Sequence, residues 1–126
     1  MVPAEPSDSK SAHLVAGARA ESLAAEFLIS RGLTIVARNF RTRRGEIDVI
    51  ARDGESLVFV EVRLRRNMSY GGAGASITAA KSKRLVAAAN VYLARLGREP
   101  PCRFDAILLD SLDAAHITWE RDILSV

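Results

Sequence analysis

Gly45-Glu-Ile-Asp-Val-Ile-Ala-Arg-Asp-Gly-Glu-Ser-Leu-Val-Phe-Val-Glu-Val-Arg63 reads as two β-strands about a turn. β-Branched and apolar residues alternate with other positions on both sides of Asp53-Gly54, the dipeptide most typical of a short hairpin. Into this apolar hairpin the sequence sets three acids, Glu46, Asp48 and Glu61, and one base, Arg63. A purely structural strand has no reason to carry them. Side chains alternate along a strand, so Glu61 and Arg63 share a face with Leu57 and Phe59, and Val58, Val60 and Val62 line the other. Two registers are open: a turn centred between Gly54 and Glu55 sets Asp48 opposite Glu61, and a two-residue Asp-Gly turn sets Glu46 there. Either brings two carboxylates together, with Cβ atoms roughly 4.5–5.5 Å apart. Two ionised acids that close repel, and a divalent cation is the natural occupant, since Mg²⁺ is commonly held by one or two carboxylates plus waters and substrate phosphate.

The composition bounds what surrounds this hairpin. A chain of 126 residues, 48% hydrophobic and 26% charged, is expected to form one ordinary globular domain over residues 13–126. Residues 1–12, with two prolines, serines and mixed charges, read as a flexible tail without the apolar core of a signal peptide. No apolar run approaches the length of a membrane span, so the cytoplasm is the default expectation. Cys102 is the single cysteine; it excludes an internal disulfide and reads as a small buried hydrophobe. His13 and His116 lie far from each other and from Cys102, which argues against a zinc site.

The net charge of +3 is unevenly placed. Residues 38–84 hold eleven bases and five acids, against three and four in residues 1–37 and four and six in residues 85–126. The positive charge therefore surrounds the acidic hairpin, a distribution suited to a phosphate polymer gripped by its backbone; a merely solvated basic surface is the plainer alternative.

Outward from the hairpin, a helix is expected over 12–31 with Gly32 as its stop, and Leu14, Gly17, Glu21, Ala24 and Leu28 as its core-facing stripe. An acid on such a stripe is usually a boundary residue, unless the helix packs beside the hairpin, where Glu21 can supply a third carboxylate or orient a metal-bound water. Residues 33–40 read as a strand, and Arg41-Thr-Arg-Arg44 as a basic loop. Residues 64–76, with Arg65, Arg66, Tyr70, Gly71, Gly72 and Gly74, match no nucleotide-binding fingerprint and read as a mobile segment. A second helix is expected over 77–96, stopped at Gly97, with Leu85, Ala88, Ala89, Tyr92 and Leu96 buried. Its first turns carry Lys81, Lys83 and Arg84, cations that oppose the helix dipole unless an anion binds there. Residues 103–109 make another strand, and the stretch with His116, Trp119 and Ile123 marks a candidate edge strand. The order is helix, three strands, helix, strand, so the fold class is α/β, a mixed sheet flanked by helices.

Glu21, Arg38-Asn39-Phe40, Gly45-Glu-Ile-Asp-Val-Ile50, Val58-Phe-Val-Glu-Val62 with Arg65, Lys81, and Arg103-Phe-Asp105 together resemble the UPF0102 (YraN-like) family of small bacterial proteins, over about residues 13–110. That family is similar to archaeal Holliday-junction resolvases and, by resemblance, belongs to the PD-(D/E)xK nuclease superfamily with a restriction-endonuclease-like fold. The resemblance implies that Asp48 and Glu61 are metal-binding acids, that Glu21 is an auxiliary helix acid, and that Arg63 stands where the pattern normally has lysine. Arginine stays protonated and cannot act as a base, but it can hold a phosphate oxygen and stabilise developing charge.

The expected activity is a Mg²⁺- or Mn²⁺-dependent deoxyribonuclease acting on branched or structured DNA. Asp48, Glu61 and Glu21 hold the ion in this reading, Arg63 faces the reacting phosphate, and Arg41, Arg43, Arg44, Arg65, Arg66, Lys81, Lys83 and Arg84 grip flanking phosphates without reading sequence. A resolvase-like role would call for a homodimer. The rival is a nucleic-acid- or partner-binding module on the same fold without turnover. A third reading pairs Glu46 with Arg63 across the hairpin, a contact worth under about 1 kcal/mol.

Overall fold

The computed structural model describes residues 9–64, 79–112 and 116–124, with side chains described from Ala16 onward. Expectations placed on residues 1–8, on Arg65, Arg66, Tyr70 and the glycines of 65–78, and on Asp113 lie outside the described residues.

Seven elements follow in order: α1 (Ser9–Ser30), β1 (Thr34–Arg41), β2 (Glu46–Asp53), β3 (Ser56–Leu64), α2 (Ala79–Leu96), β4 (Cys102–Leu109) and β5 (Ile117–Glu120). The strands form one mixed sheet in the order β1-β2-β3-β4-β5. β3 and β4 are parallel and the other neighbours antiparallel. A parallel pair needs a long crossover, and α2 supplies it. The final edge strand read from Trp119 is therefore present as β5, and α1 begins at Ser9, slightly before the helical stripe of the sequence becomes visible.

The central hairpin settles the register. Asp53 pairs with Ser56 and Val49 with Val60, so the turn is Gly54-Glu55. Gly54, at φ +62°, fills the first central position, where a type II′ turn favours glycine. Continued past Val49, this register sets Asp48, not Glu46, opposite Glu61.

Each face of the sheet is covered by one helix. On one side Ala20, Ala24 and Leu28 of α1 meet Val49, Ala51, Val58, Val60, Ile107 and Leu109, and the rings of Phe27 and Trp119 make an edge-on contact at 6.1 Å. The alanines keep that helix close to the strands. On the other side Leu85, Ala88 and Ala89 of α2 meet Ile47, Ile50, Leu57, Phe59 and Phe104. The buried face of α1 is rotated from the sequence reading, with Ala24 and Leu28 buried beside Ala20 while Glu21 is partly buried and Gly17 exposed; in α2 Leu85, Ala88 and Ala89 are buried as expected, and Tyr92 and Leu96 partly so. Strands covered on both faces read as near-continuous apolar runs, as Leu57–Val60 does.

Two further features depart from the sequence reading. Cys102 is exposed rather than buried, because it is the first residue of β4, where the strand begins after Pro100-Pro101; its thiol donates to the Pro100 carbonyl at 3.1 Å. Asp105 is a completely buried acid in the middle of β4. It accepts hydrogen bonds from Arg103 Nε at 3.2 Å, Trp119 Nε1 at 2.9 Å and the Asp122 backbone N–H at 2.9 Å. Arg103 also reaches Asp53 at 3.0 Å, so one ion network ties β4, β5 and the hairpin turn together.

Candidate functional site

Asp48, Glu61, Arg63 and Glu21 gather at the end of the sheet where β2 and β3 part. Ladder pairing between those strands stops at Val49 and Val60. Beyond it the Asp48 carboxylate takes over: Oδ2 accepts the Val62 backbone N–H at 2.8 Å. A buried N–H that loses its ladder partner needs another acceptor, and here a side chain supplies it. On the α1 side Glu21 and Arg63 share a small polar cleft, of about 210 Å³, with Gly17, Ala20, Val62 and Leu64.

The electrostatics of this corner are unfavourable in the absence of a ligand. Burial, followed by the neighbouring Asp48 carboxylate, pushes Glu61 up to about 7. Asp48 is raised as well, first by burial and then by Glu46, against the lowering effects of the Val62 N–H, Arg63 and Arg41. Glu21 is raised by burial and by Asp48, while its hydrogen bond to Asn39 and the charge of Arg38 pull the other way. Among the described residues Arg63 is a half-buried cation beside the pair, with its Nε 4.0 Å from Glu61 Oε1. The ion pair of Glu46 is with Arg41 on β1, at 3.5 Å and exposed.

These residues fit a divalent cation in one respect and limit it in another. Two close carboxylates that hold protons too tightly are the donor set a hard cation replaces protons on. Among the described residues, however, no three His, Cys, Asp or Glu side chains are arranged to hold a metal ion. Asp48 and Glu61 therefore stand as a pair, and Glu21 lies beside them without closing a three-carboxylate cage.

The basic residues divide. Thr42 Oγ1 accepts the backbone N–H groups of Arg44 and Gly45, each at 3.1 Å, and donates to the Gly45 carbonyl at 2.9 Å, so the Arg41–Arg44 loop is tied tightly. Gly45 then lies against the backbone of α2. A Cβ on it would sit 2.6 Å from the Arg84 carbonyl carbon and nearer still to the oxygen, so only glycine fits. This contact joins the loop to the first turns of α2, and Arg44 and Lys83 line one groove there. Lys81 is on the same first turn of α2, at the edge of this surface. Sequence alone could flag Gly45 only as a loop glycine, because its partner comes from a distant helix.

Fold and site together define an α/β protein whose element order is consistent with a nuclease-like fold, with an acidic pair at the split of two central strands. Comparison with known proteins gives the family. The model of the uncharacterised protein family UPF0102 matches residues 20–109, and the chain belongs to that family. A UPF0102 protein of Nitrosospira multiformis is 51% identical over 110 residues, covering 87% of this chain and 92% of its own. One from Methylobacillus flagellatus is 50% identical over 109 residues, covering 86% and 96%. One from Symbiobacterium thermophilum is 58% identical over 92 residues, covering 72% and 78%. Among the described residues no helix is long and apolar enough to cross a membrane.

Proposed function

We propose that this protein is a Mg²⁺- or Mn²⁺-dependent endodeoxyribonuclease of the cytoplasm that hydrolyses phosphodiester bonds in branched or otherwise structured DNA. The observation that carries the reading is the pair Asp48 and Glu61: two largely buried carboxylates on adjacent strands, both pushed toward the protonated form. Asp105, by contrast, is matched by three donors from within the chain. Asp48 and Glu61, with a backbone carbonyl near Val62, would hold the ion. When bound, it would acidify a coordinated water and polarise the phosphate.

The chain's own groups do the remainder. Glu21, set apart from the pair, accepts a hydrogen bond from the attacking water and orients it. Arg63, always protonated, neutralises charge that builds on the phosphate oxygens. Arg41, Arg43, Arg44, Lys81, Lys83 and Arg84 hold flanking phosphates, and because such contacts carry no base information the enzyme would select DNA by shape.

One feature favours a second reading. Arg63 stands where the nuclease pattern has lysine, so a reaction that needs a side-chain base at that position would stop, leaving a DNA-binding module. A single assay decides between the two. Labelled linear, flapped and four-way DNA is incubated with the protein in Mn²⁺, beside Asp48→Ala and Glu61→Ala. Cleavage abolished in both variants supports the nuclease; DNA retention with no cleavage by the unaltered protein supports the binding module.

A further inference from the structure

Asn39 has a positive φ, +55°, inside an otherwise extended edge strand. Side chains other than glycine rarely adopt that conformation, and asparagine is among the few that tolerate it. Its position is informative. Arg38 pairs with Val49 and Phe40 with Ile47, so Asn39 lies across from Asp48, which in turn falls opposite Glu61. Three strands thus contribute one residue each to a single row.

At that row the alternation of the sheet slips. Ala37 and Phe40 both pack on the α2 side, and so do Ile47 and Ile50, although each pair is an odd number of residues apart. Strict alternation puts such pairs on opposite faces. Arg38 and Val49, between them, belong to the α1 side, through a 3.1 Å hydrogen bond from Arg38 to Ser22 Oγ and through the α1 core respectively. The slip occurs in both strands at Asn39 and Asp48. In a regular strand the Asp48 side chain would stand perpendicular to the sheet on the α2 face. It could not then reach the in-plane N–H of Val62, which it does at 2.8 Å. The Asn39 side chain, meanwhile, hydrogen-bonds Glu21 on α1.

We infer that Asn39 is the positioning residue of the acidic site: its left-handed backbone turns Asp48 out of the α2 core toward the Val62 N–H, and its side-chain amide holds Glu21 on the α1 side of the same row. The role deepens the nuclease reading and rests on it for its catalytic meaning, but its structural signature requires no metal and no substrate.

Three variants separate backbone from side chain. Asn39→Gly and Asn39→Asp both accept the left-handed conformation and lack the amide donor, whereas Asn39→Ala accepts neither role. Amide hydrogen exchange of Val62, with Val60 as the internal reference, reads the Asp48 contact in the metal-free protein. Asn39→Ala is expected to speed Val62 exchange at least tenfold relative to Val60, and the other two to leave it unchanged. On four-way DNA in Mn²⁺, Asn39→Gly and Asn39→Asp are expected to lower kcat at least tenfold with little change in KM, because Glu21 is no longer held. Unaltered Val62 exchange in Asn39→Ala, or loss of its protection in Asn39→Gly, would overturn the inference. So would full kcat in Asn39→Gly. If Asn39→Ala does not fold, retention or loss of Val62 protection in Asn39→Gly and Asn39→Asp decides. If the unaltered protein does not cut DNA, the nuclease reading fails, and the exchange data alone judge the positioning role.

Discussion

Among the described residues this sheet holds a fully buried acid, Asp105, and a partly buried acidic pair, Asp48 and Glu61, and the two sites are built on opposite plans. Asp105 is fully buried and receives three donors, one of them the guanidinium of Arg103, which is shared with Asp53. Asp48 and Glu61 are partly buried, yet their neighbours include Glu46 and Glu21, and the Nε of Arg63 beside them is 4.0 Å from Glu61 Oε1. Burying a charge is costly unless it is paired and hydrogen-bonded. Asp105 meets that condition from within the chain. The second site crowds acids together instead, and a fold that keeps two raised carboxylates side by side leaves room for something from outside. Burial of an acid therefore says little about function; the sign of the charges around it says much.

The strongest way to break the comparison is at Asp105. Asp105→Ala removes the acceptor of three donors, leaving Trp119 Nε1 and the Asp122 N–H without it and Arg103 with Asp53 alone, and breaking a buried pair in this way typically costs about 3–5 kcal/mol. Urea denaturation followed by Trp119 fluorescence should show that loss, because Trp119 is one of the donors. A loss below about 1 kcal/mol would mean that Asp105 is not the structural counterpart it is taken for here.

Next in size is Gly45→Ala, which tests whether the acidic end is shaped by backbone packing. The added methyl group meets the Arg84 carbonyl, a rigid helical backbone, and overpacking of this kind costs roughly 1–3 kcal/mol. It should also move the Arg41–Arg44 loop away from Lys83 and Arg84, and so reduce the salt dependence of DNA binding, whose slope counts the phosphates contacted. Unchanged stability and an unchanged slope would count against the joined surface.

Much of this molecule was legible in its sequence. Ala24 and Leu28 in α1, Leu85, Ala88 and Ala89 in α2, and the alternation from Val49 to Val60 in the hairpin are local periodicities that the fold keeps. The acids Asp48 and Glu61 stood out because they interrupt an apolar pattern. What stayed hidden depends on partners distant in sequence or on backbone detail. Asp105 read as one more strand residue because its donors Trp119 and Asp122 lie 14 and 17 residues away. The register remained open because Asp53-Gly54 and Gly54-Glu55 are both acceptable turn centres, and only the φ of +62° at Gly54 with the Asp53–Ser56 pair selects the second. The slip at Asn39 is invisible to any argument that assumes a two-residue period, and that assumption would have put Asp48 with the α2 core.

The pH dependence of the metal-free protein sharpens the contrast. Glu61 has its folded value near 7, against an ordinary 4.5. Between those values the folded state binds more protons than the unfolded one, so stability should rise as pH falls from about 7 to about 4.5, be fully present below that, and be lost as pH rises through 7. Each unit of such a shift corresponds to about 1.4 kcal/mol. Glu61→Gln cannot ionise, so at pH 8 it should be more stable than the unaltered protein, by about 1–3 kcal/mol, and its stability should lack the rise toward acid. Saturating Mn²⁺ should close part of that gap for the unaltered protein and leave Glu61→Gln little changed. Equal pH profiles for the two proteins would show that Glu61 is already neutralised in the fold.

The smallest effect discriminates most finely, because two opposing terms meet at Asp48. Asp48→Ala relieves repulsion with Glu61 and Glu46 and orphans the Val62 N–H, an unsatisfied donor worth about 1–3 kcal/mol. The two changes offset, so its stability at pH 8 should lie within about 1 kcal/mol of the unaltered protein. Asp48→Asn relieves the same repulsion and keeps an oxygen for Val62, so it should exceed Asp48→Ala by about 1 kcal/mol. Neither substitution at Asp105 can gain in this way, since there the charge is what the donors of Arg103, Trp119 and Asp122 are arranged around. If Asp48→Asn and Asp48→Ala prove equal, the Val62 bond contributes nothing and the acid is held by other means. If Asp48→Asn is less stable than the unaltered protein, Asp48 is a structural acid like Asp105, and the distinction between the two sites disappears.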